Sequence, residues 1–271
     1  MSVISNGTVV KTIYFNGVKI DKHYHNGVLV FGVEAPVPTT KGMYYGGYGS
    51  TSVNTVTRID GNGVLVGTEG NVGTARYTLA GASVGSVGGY YGGYGSTFVN
   101  TVTRIDGNGT MVGSEGNVGA ARYFLTGAGV GNVGIYYGGY TNTTVNTVTR
   151  IDGNGVIVGS ESNVGTARFL LAGAGVGSVG VYCSGRNSGA TPINTITRID
   201  SNGNMVGTES NVGTARYDLA GAGVGSVGVY YGGWNIGYFN TVTRIDGNGV
   251  MVGSEGSVGT GRSGLAGAGI S

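Results

Sequence analysis

The sequence predicts an all-β protein: a five-bladed β-propeller closed by its C-terminal strand and preceded by a small meander of β-hairpins. Three observations carry this. The tetrad TRID recurs with its arginine at Arg58, Arg104, Arg150, Arg198 and Arg244, at spacings of 46, 46, 48 and 46 residues. A second arginine follows each of these by 18 residues, at Arg76, Arg122, Arg168, Arg216 and Arg262. A period of this length marks a repeat architecture. Within each period, four runs rich in Val, Ile, Thr and Tyr lie between glycine-containing turns, which is the strand content of one blade.

The first element is the segment 1–32. Asn-Gly pairs at 6–7, 16–17 and 26–27 separate the runs TVVKTIYF, VKIDKHYH and VLVFG, and Asn-Gly between β-rich runs is a strong hairpin signal. Two or three hairpins alone are marginally stable in water. An exposed apolar edge of this kind seeks a partner chain, and Ile13, Phe15, Tyr24, Leu29 and Phe31 are the candidate anchoring residues. Residues 33–40, VEAPVPTT, read as a stiff linker to a propeller spanning 41–271.

One blade can be read from the second period. YTLAGA (77–82) is expected as the first strand, GYYGGY (89–94) as the second and NTVTRID (100–106) as the third. GNG (107–109) supplies a tight turn, because glycine and asparagine tolerate positive φ. TMVGSE (110–115) is expected as the fourth strand, leading through GNVGAAR into the next unit. A β-solenoid competes with this reading, but its rungs are shorter and each would have to contain several hairpins. The run KGMYYGG (41–47) is a second strand without a first, and GRSGLAGAGIS (261–271) is a first strand without a second. The C-terminus is therefore expected to supply the inner strand of the blade begun at Lys41, pairing edges that would otherwise be open.

The run ARYFLTGAGVGNVGIYYGGY, followed by NTVTRID and NVGTAR, resembles the kelch repeat over residues 41–271. The matching features are a diglycine after hydrophobic residues and a tyrosine, an acidic residue ending the third strand, and an arginine opening the next blade. The diglycines are Gly46–Gly47, Gly92–Gly93, Gly138–Gly139 and Gly232–Gly233; the fourth unit departs with YCSG at 182–185. The tryptophan of the kelch fourth strand is replaced by Val66, Val112, Val158, Val206 and Val252. The resemblance implies four-stranded blades with altered packing at that slot. The doublet IYFNGVKI…HYHNGVLVFG is similar to short N-terminal segments of tailed-phage virion proteins, which implies docking to other virion proteins.

Composition narrows the function classes. Only 10% of residues are charged and the net charge is +2, giving no electrostatic reason to expect nucleic acid or an anionic membrane as partner. No run approaches the 18 or so apolar residues of a membrane span, and the N-terminus has no signal-peptide pattern. The single cysteine, Cys183, excludes an internal disulfide. It has no histidine in its own domain to activate it, because His23 and His25 lie in the N-terminal segment. Those histidines are either merely exposed or part of a metal site shared across an oligomer axis. Each unit repeats the charge set Arg, Asp, Glu, Arg, as in Arg58, Asp60, Glu69 and Arg76. Charges repeated in every blade suit holding blades together. Arg76 and Glu69 are placed to pair or to cap backbone groups, and Asp60 to receive turn amides. The rival, a ring of acidic cation sites from Asp60 to Asp246, lacks the further spaced ligands of a calcium loop. No catalytic residue, metal site or cofactor is expected.

Function is expected where the near-identical blades differ. The loops between second and third strands read YGSTSV (48–53), YGSTFV (94–99), YTNTTV (140–145), SGRNSGATPI (184–193) and WNIGYF (234–239). Strand alternation puts all five on one face of the ring. They contribute Tyr48, Tyr94, Tyr140, Arg186, Asn187, Trp234, Tyr238 and Phe239 as candidate ligand-binding residues, because exposed aromatics with small polar neighbours suit sugar rings and protein contacts. Unconstrained drift of the loops is the competing explanation. The expected function is a phage virion accessory or receptor-binding protein that binds a host-surface glycan or protein within a larger assembly or homo-oligomer. An intracellular kelch-type adaptor is the alternative, and a glycan-processing enzyme is disfavoured by the scarcity of unrepeated acids and histidines.

Overall fold

A computed structural model describes residues 42–267 throughout and, before them, the strand backbones 13–15, 18–20, 23–25 and 28–31. The chain divides into two compact units, Met1–Thr39 and Thr40–Ser271. In the first, Ile13–Phe15 pairs antiparallel with Val18–Ile20, matching Ile13 to Ile20 and Phe15 to Val18. His23–His25 pairs with Val28–Phe31, with a register shift between His23 and Tyr24. The anchoring positions Ile13, Phe15, Tyr24, Leu29 and Phe31 all fall on these strands. Their side chains, and the linker 33–40, lie outside the described residues.

The second unit is a five-bladed antiparallel β-propeller. The second blade is a meander of Ala80–Val84, Val87–Tyr91, Thr101–Asp106 and Gly116–Asn117. Three further four-stranded blades follow over 126–163, 172–211 and 220–257. The first blade has Gly42–Tyr48, Ser52–Ile59 and Gly70–Asn71 among the described residues. The strand expected to close it, within 264–271, is described only as far as Gly267.

The fourth strand does not form at 110–115 as expected. Pairing starts, with an Ile105–Met111 bridge and a Val112 N–H donating to Arg104 O at 2.8 Å. Gly113 then turns at φ +70, and the Arg104 guanidinium fills the space a side chain there would take. Pairing resumes at Gly116–Asn117, opposite Val102 and Thr101. The first strand likewise starts late, at Ala80, because Thr78 takes a left-handed conformation with φ 53. The Asp turns form as expected: Asp60 Oδ1 accepts the N–H groups of Asn62 and Val64 at 2.8 and 2.9 Å, and Asp106, Asp152, Asp200 and Asp246 do the same.

Among the described residues the core is four slabs, each between consecutive blades. Between blades two and three, for example, Tyr91, Val102 and Ala80 pack on Leu125, Tyr136 and Ile151. Both faces of a central strand are therefore apolar: Val102 faces forward, while Ile105 faces back to Tyr45 and Val56. The inner strands abut so closely that a methyl group on Gly127 would lie 2.5 Å from Gly81 O, which is why those of blades three to five read Gly-Ala-Gly.

The repeated arginines fasten these slabs. Arg122 is fully buried; its Nη2 donates to Tyr136 O at 3.2 Å and Thr149 Oγ1 at 2.5 Å, both in the next blade. Its guanidinium lies 5.5 Å from the centre of the Tyr91 ring, and Nη1 is 3.7 Å from Glu161. Tyr136 donates back across the joint to Gly89 O at 2.8 Å. Arg76, Arg168 and Arg216 occupy equivalent positions. This corrects the expected Arg76–Glu69 pairing. Arg76 meets Glu115 of the following blade at 3.5 Å, while Glu69 accepts a hydrogen bond from Thr57 of its own blade. A repeated charge can thus satisfy its partner one period away instead of across the nearest loop.

Candidate functional site: an aromatic strip on the loop face

Two sets of side chains meet on the loop face. The turns between second and third strands bring Tyr48, Tyr94, Tyr140, Arg186 and Trp234. The residue after each buried arginine brings Tyr77, Tyr123, Phe169 and Tyr217. Backbone bridges tie Tyr77 to Tyr94, Tyr123 to Tyr140, Phe169 to Arg186 and Tyr217 to Trp234, so the two sets alternate around the propeller.

Their rings touch in series. Tyr48 lies 5.1 Å from Tyr77, Tyr77 5.5 Å from Tyr94, and Tyr94 5.9 Å from Tyr123. Tyr123 lies 5.7 Å from Tyr140, which lies 5.7 Å from Phe169. Tilted and edge-on geometries at these separations are the favourable ones for aromatic pairs. Phe98 stacks on Tyr123 at 4.9 Å and thickens the strip. At blade four the ring is replaced by a cation: the Arg186 guanidinium sits 4.5 Å from the centre of the Tyr217 ring. Trp234 meets Tyr238 edge-on at 4.6 Å.

The strip therefore joins six of the eight residues singled out from the loops: Tyr48, Tyr94, Tyr140, Arg186, Trp234 and Tyr238. Asn187 instead shapes its loop, its Oδ1 accepting the N–H groups of Gly189 and Thr191, both at 3.0 Å. Phe239 donates its N–H to Gly233 O at 2.9 Å and is partly buried. Loop reading missed Tyr77, Tyr123, Phe169 and Tyr217. A usable signal existed, since an aromatic follows the second arginine in four of five copies, Ser263 being the exception.

Exposure concentrates at the two ends. Tyr48 and Tyr238 are each 66% exposed and Ile236 is 97% exposed, whereas the middle of the strip is partly buried. Arg186 Nε donates to Ala190 O at 2.6 Å, which fixes the guanidinium over Tyr217. The arrangement offers π faces for stacking, hydroxyls for hydrogen bonding and one fixed cation.

An axial cavity of about 750 Å³ is lined by the inner strands of blades two to five, by Gly42–Gly47 of blade one and by residues 264–267, and Asp218 is the charged residue in that lining. Thr78, Phe124, Leu170 and Asp218 all have left-handed backbones. A spiral of hydrogen bonds holds them: Phe124 N–H to Thr78 O, Leu170 to Phe124, Asp218 to Leu170, and Gly264 to Asp218, at 2.8–3.0 Å. Cys183 is buried, and burial pushes its thiol pKa up despite the nearby Ser184 hydroxyl and Arg216. A protonated, enclosed thiol is a packing group, not a nucleophile. Among the described residues no group of three or more His, Cys, Asp or Glu side chains could hold a metal ion; the side chains of His23 and His25 lie outside them. No helix among those residues is long and apolar enough to cross a membrane. No protein-family model and no curated protein matches the chain.

Proposed function

We propose that the chain is a tailed-phage virion accessory or receptor-binding protein, whose N-terminal hairpins dock to the particle and whose propeller presents a ligand-binding face. The observation that carries this is the aromatic row on the loop face, whose rings touch in series from Tyr48 to Phe169 and which backbone bridges extend to the Arg186–Tyr217 and Trp234–Tyr238 pairs. The row lies outside the four interblade slabs, and its exposed ends at Tyr48, Ile236 and Tyr238 are apolar surface of the kind that marks interaction sites. Stacking on tyrosine and tryptophan faces, with a fixed arginine for hydroxyl or acidic groups, suits a host-surface glycan or a protein loop. The kelch-like blade motifs and the phage-like hairpin segment support the reading from the sequence side.

The blade-four and blade-five end of the strip is its sharpest part, with Arg186 over Tyr217 next to Trp234 and Tyr238. Trp234→Ala is expected to weaken binding by at least about 2 kcal/mol, roughly thirty-fold in affinity, with Arg186→Ala weakening it as well. Glycan-array and host-cell binding measure this, with Tyr48→Ala as the comparison. Undiminished binding by both Trp234→Ala and Arg186→Ala puts the ligand elsewhere. Deleting residues 1–36 tests the docking half: the variant is expected to stay folded and to be lost from particles. Retained incorporation favours an adaptor role instead.

A further inference from the structure

The four interblade joints are built alike, and the surfaces that would make a fifth are exposed. Where Arg76, Arg122, Arg168 and Arg216 are at most 1% exposed, Arg262 is exposed. Where Glu115, Glu161, Glu209 and Glu255 are partly buried, Glu69 is exposed. Gly109, Gly155, Gly203 and Gly249 each lie against the arginine of the preceding blade, a methyl group there meeting its Nε at 3.0–3.1 Å; Gly63 would meet nothing within 4 Å. Correspondingly Arg244 is exposed while Arg58, Arg104, Arg150 and Arg198 are partly buried. Tyr90, Tyr136, Tyr182 and Tyr230 donate across their joints. Among the described residues Tyr44 makes no such bond to blade five.

Blade five thus carries a complete leading half-joint, and blade one the matching trailing half. Their charges are complementary, Arg262 and Arg244 against Glu69. The strand content is complementary too. Leu265 sits where a methyl group on Gly232 would lie, and Gly267 runs against Gly221 O, which is the course of an inner strand beginning one more blade. Blade one has the outer three strands of a blade among its described residues.

We propose that these halves mate between copies of this chain, head to tail, with Ala266 and Gly267 of one copy entering the inner-strand position of blade one of the next. The reason for a second copy is geometric. Four like steps, with spiral hydrogen bonds of 2.8–3.0 Å, leave Arg262 and Glu69 exposed, each with a contact inside its own blade (Tyr231 and Thr57) and none across a joint among the described residues. Mating within one chain requires those four close-packed slabs to shift together, which packed interiors resist. Mating between chains leaves each slab as it is. The contact is heterologous, so it propagates or closes a ring of several copies, unlike a two-fold dimer.

The test uses the full-length chain with Arg262→Glu and Glu69→Lys variants, measured by mass photometry and sedimentation velocity. Wild type is expected to associate with rising concentration and each variant alone to remain monomeric. Their equimolar mixture is expected to associate again, because each supplies the face that the other lacks. Both variants should melt with wild type at monomeric concentration, since neither position is buried in the single chain. A wild type that stays monomeric, a mixture that stays monomeric, or a variant that melts much earlier than wild type as a monomer overturns the proposal in favour of closure within one chain.

Discussion

Arg122→Ala removes one fastener from the middle of the molecule, and its cost can be worked from the joint. The guanidinium is fully buried and donates to Tyr136 O and Thr149 Oγ1. It also lies over the Tyr91 ring and near Glu161. Truncation removes the donor to Tyr136 O and Thr149 Oγ1, opens a cavity beneath Tyr91 and strips Glu161 of its cation. Breaking a buried ion pair by removing one partner costs about 3–5 kcal/mol. Glu161 keeps 24% of its side-chain surface exposed, so water recovers part of its solvation. The lower end, about 3 kcal/mol, is therefore expected, corresponding to a melting decrease of about 6–12 °C for a chain of this size. The repeat supplies its own control. Arg262→Ala changes the same motif position where the side chain is exposed, and a surface change of that kind costs within about 0.5 kcal/mol. Thermal unfolding followed by circular dichroism at low protein concentration compares the two. Equal melting temperatures would refute the assignment of the arginines as joint fasteners.

Acid should loosen the joints. Burial alone would raise the Glu255 pKa, but hydrogen bonds from the Thr214 and Thr243 hydroxyls, the Thr214 N–H and Arg216 hold it down at about 2; Glu115 and Glu209 are lowered in the same way. A carboxyl lowered on folding contributes stability that is full above its unfolded value of about 4.3 and is lost as pH falls toward the folded one. Melting temperature measured from pH 6 to pH 2 should fall across that window, and less steeply in Thr243→Ala. The inner strands should refuse side chains: Gly175→Ala places a methyl group against Gly129 O and is expected to cost about 1–3 kcal/mol or more. Gly116→Ala, with open space around it, should be close to neutral in the same denaturant titration.

The repeat, the strand content of each blade and the Asp turns were legible in the sequence because each depends on residues close together in the chain. Partners one period apart were not. Arg76 and Glu69 look adjacent at seven residues, but Arg76 is buried against blade two and finds Glu115, which local spacing does not reveal. The fourth strand was misplaced for a related reason. TMVGSE has strand-like composition, but the Arg104 guanidinium occupies the path beside Gly113 and delays pairing to Gly116. Half of the aromatic strip was legible from loop divergence. The other half, Tyr77, Tyr123, Phe169 and Tyr217, looked like the start of a first strand until the left-handed residue after each one redirected the chain.

Among the described residues four slabs serve five blades, so the blades are coupled in series, each stabilised through its immediate neighbours. Within those described residues the end blades are packed on one side and the inner three on both. Opening should therefore proceed from the ends inward in steps, with amide exchange slowest around Tyr136, Tyr137 and Tyr182 and faster toward Tyr44 and Tyr231. Cooperativity in such a series is set by how many links remain closed. A contact that joined the two ends would give blades one and five the protection of the middle blades, turning graded fraying into a single transition.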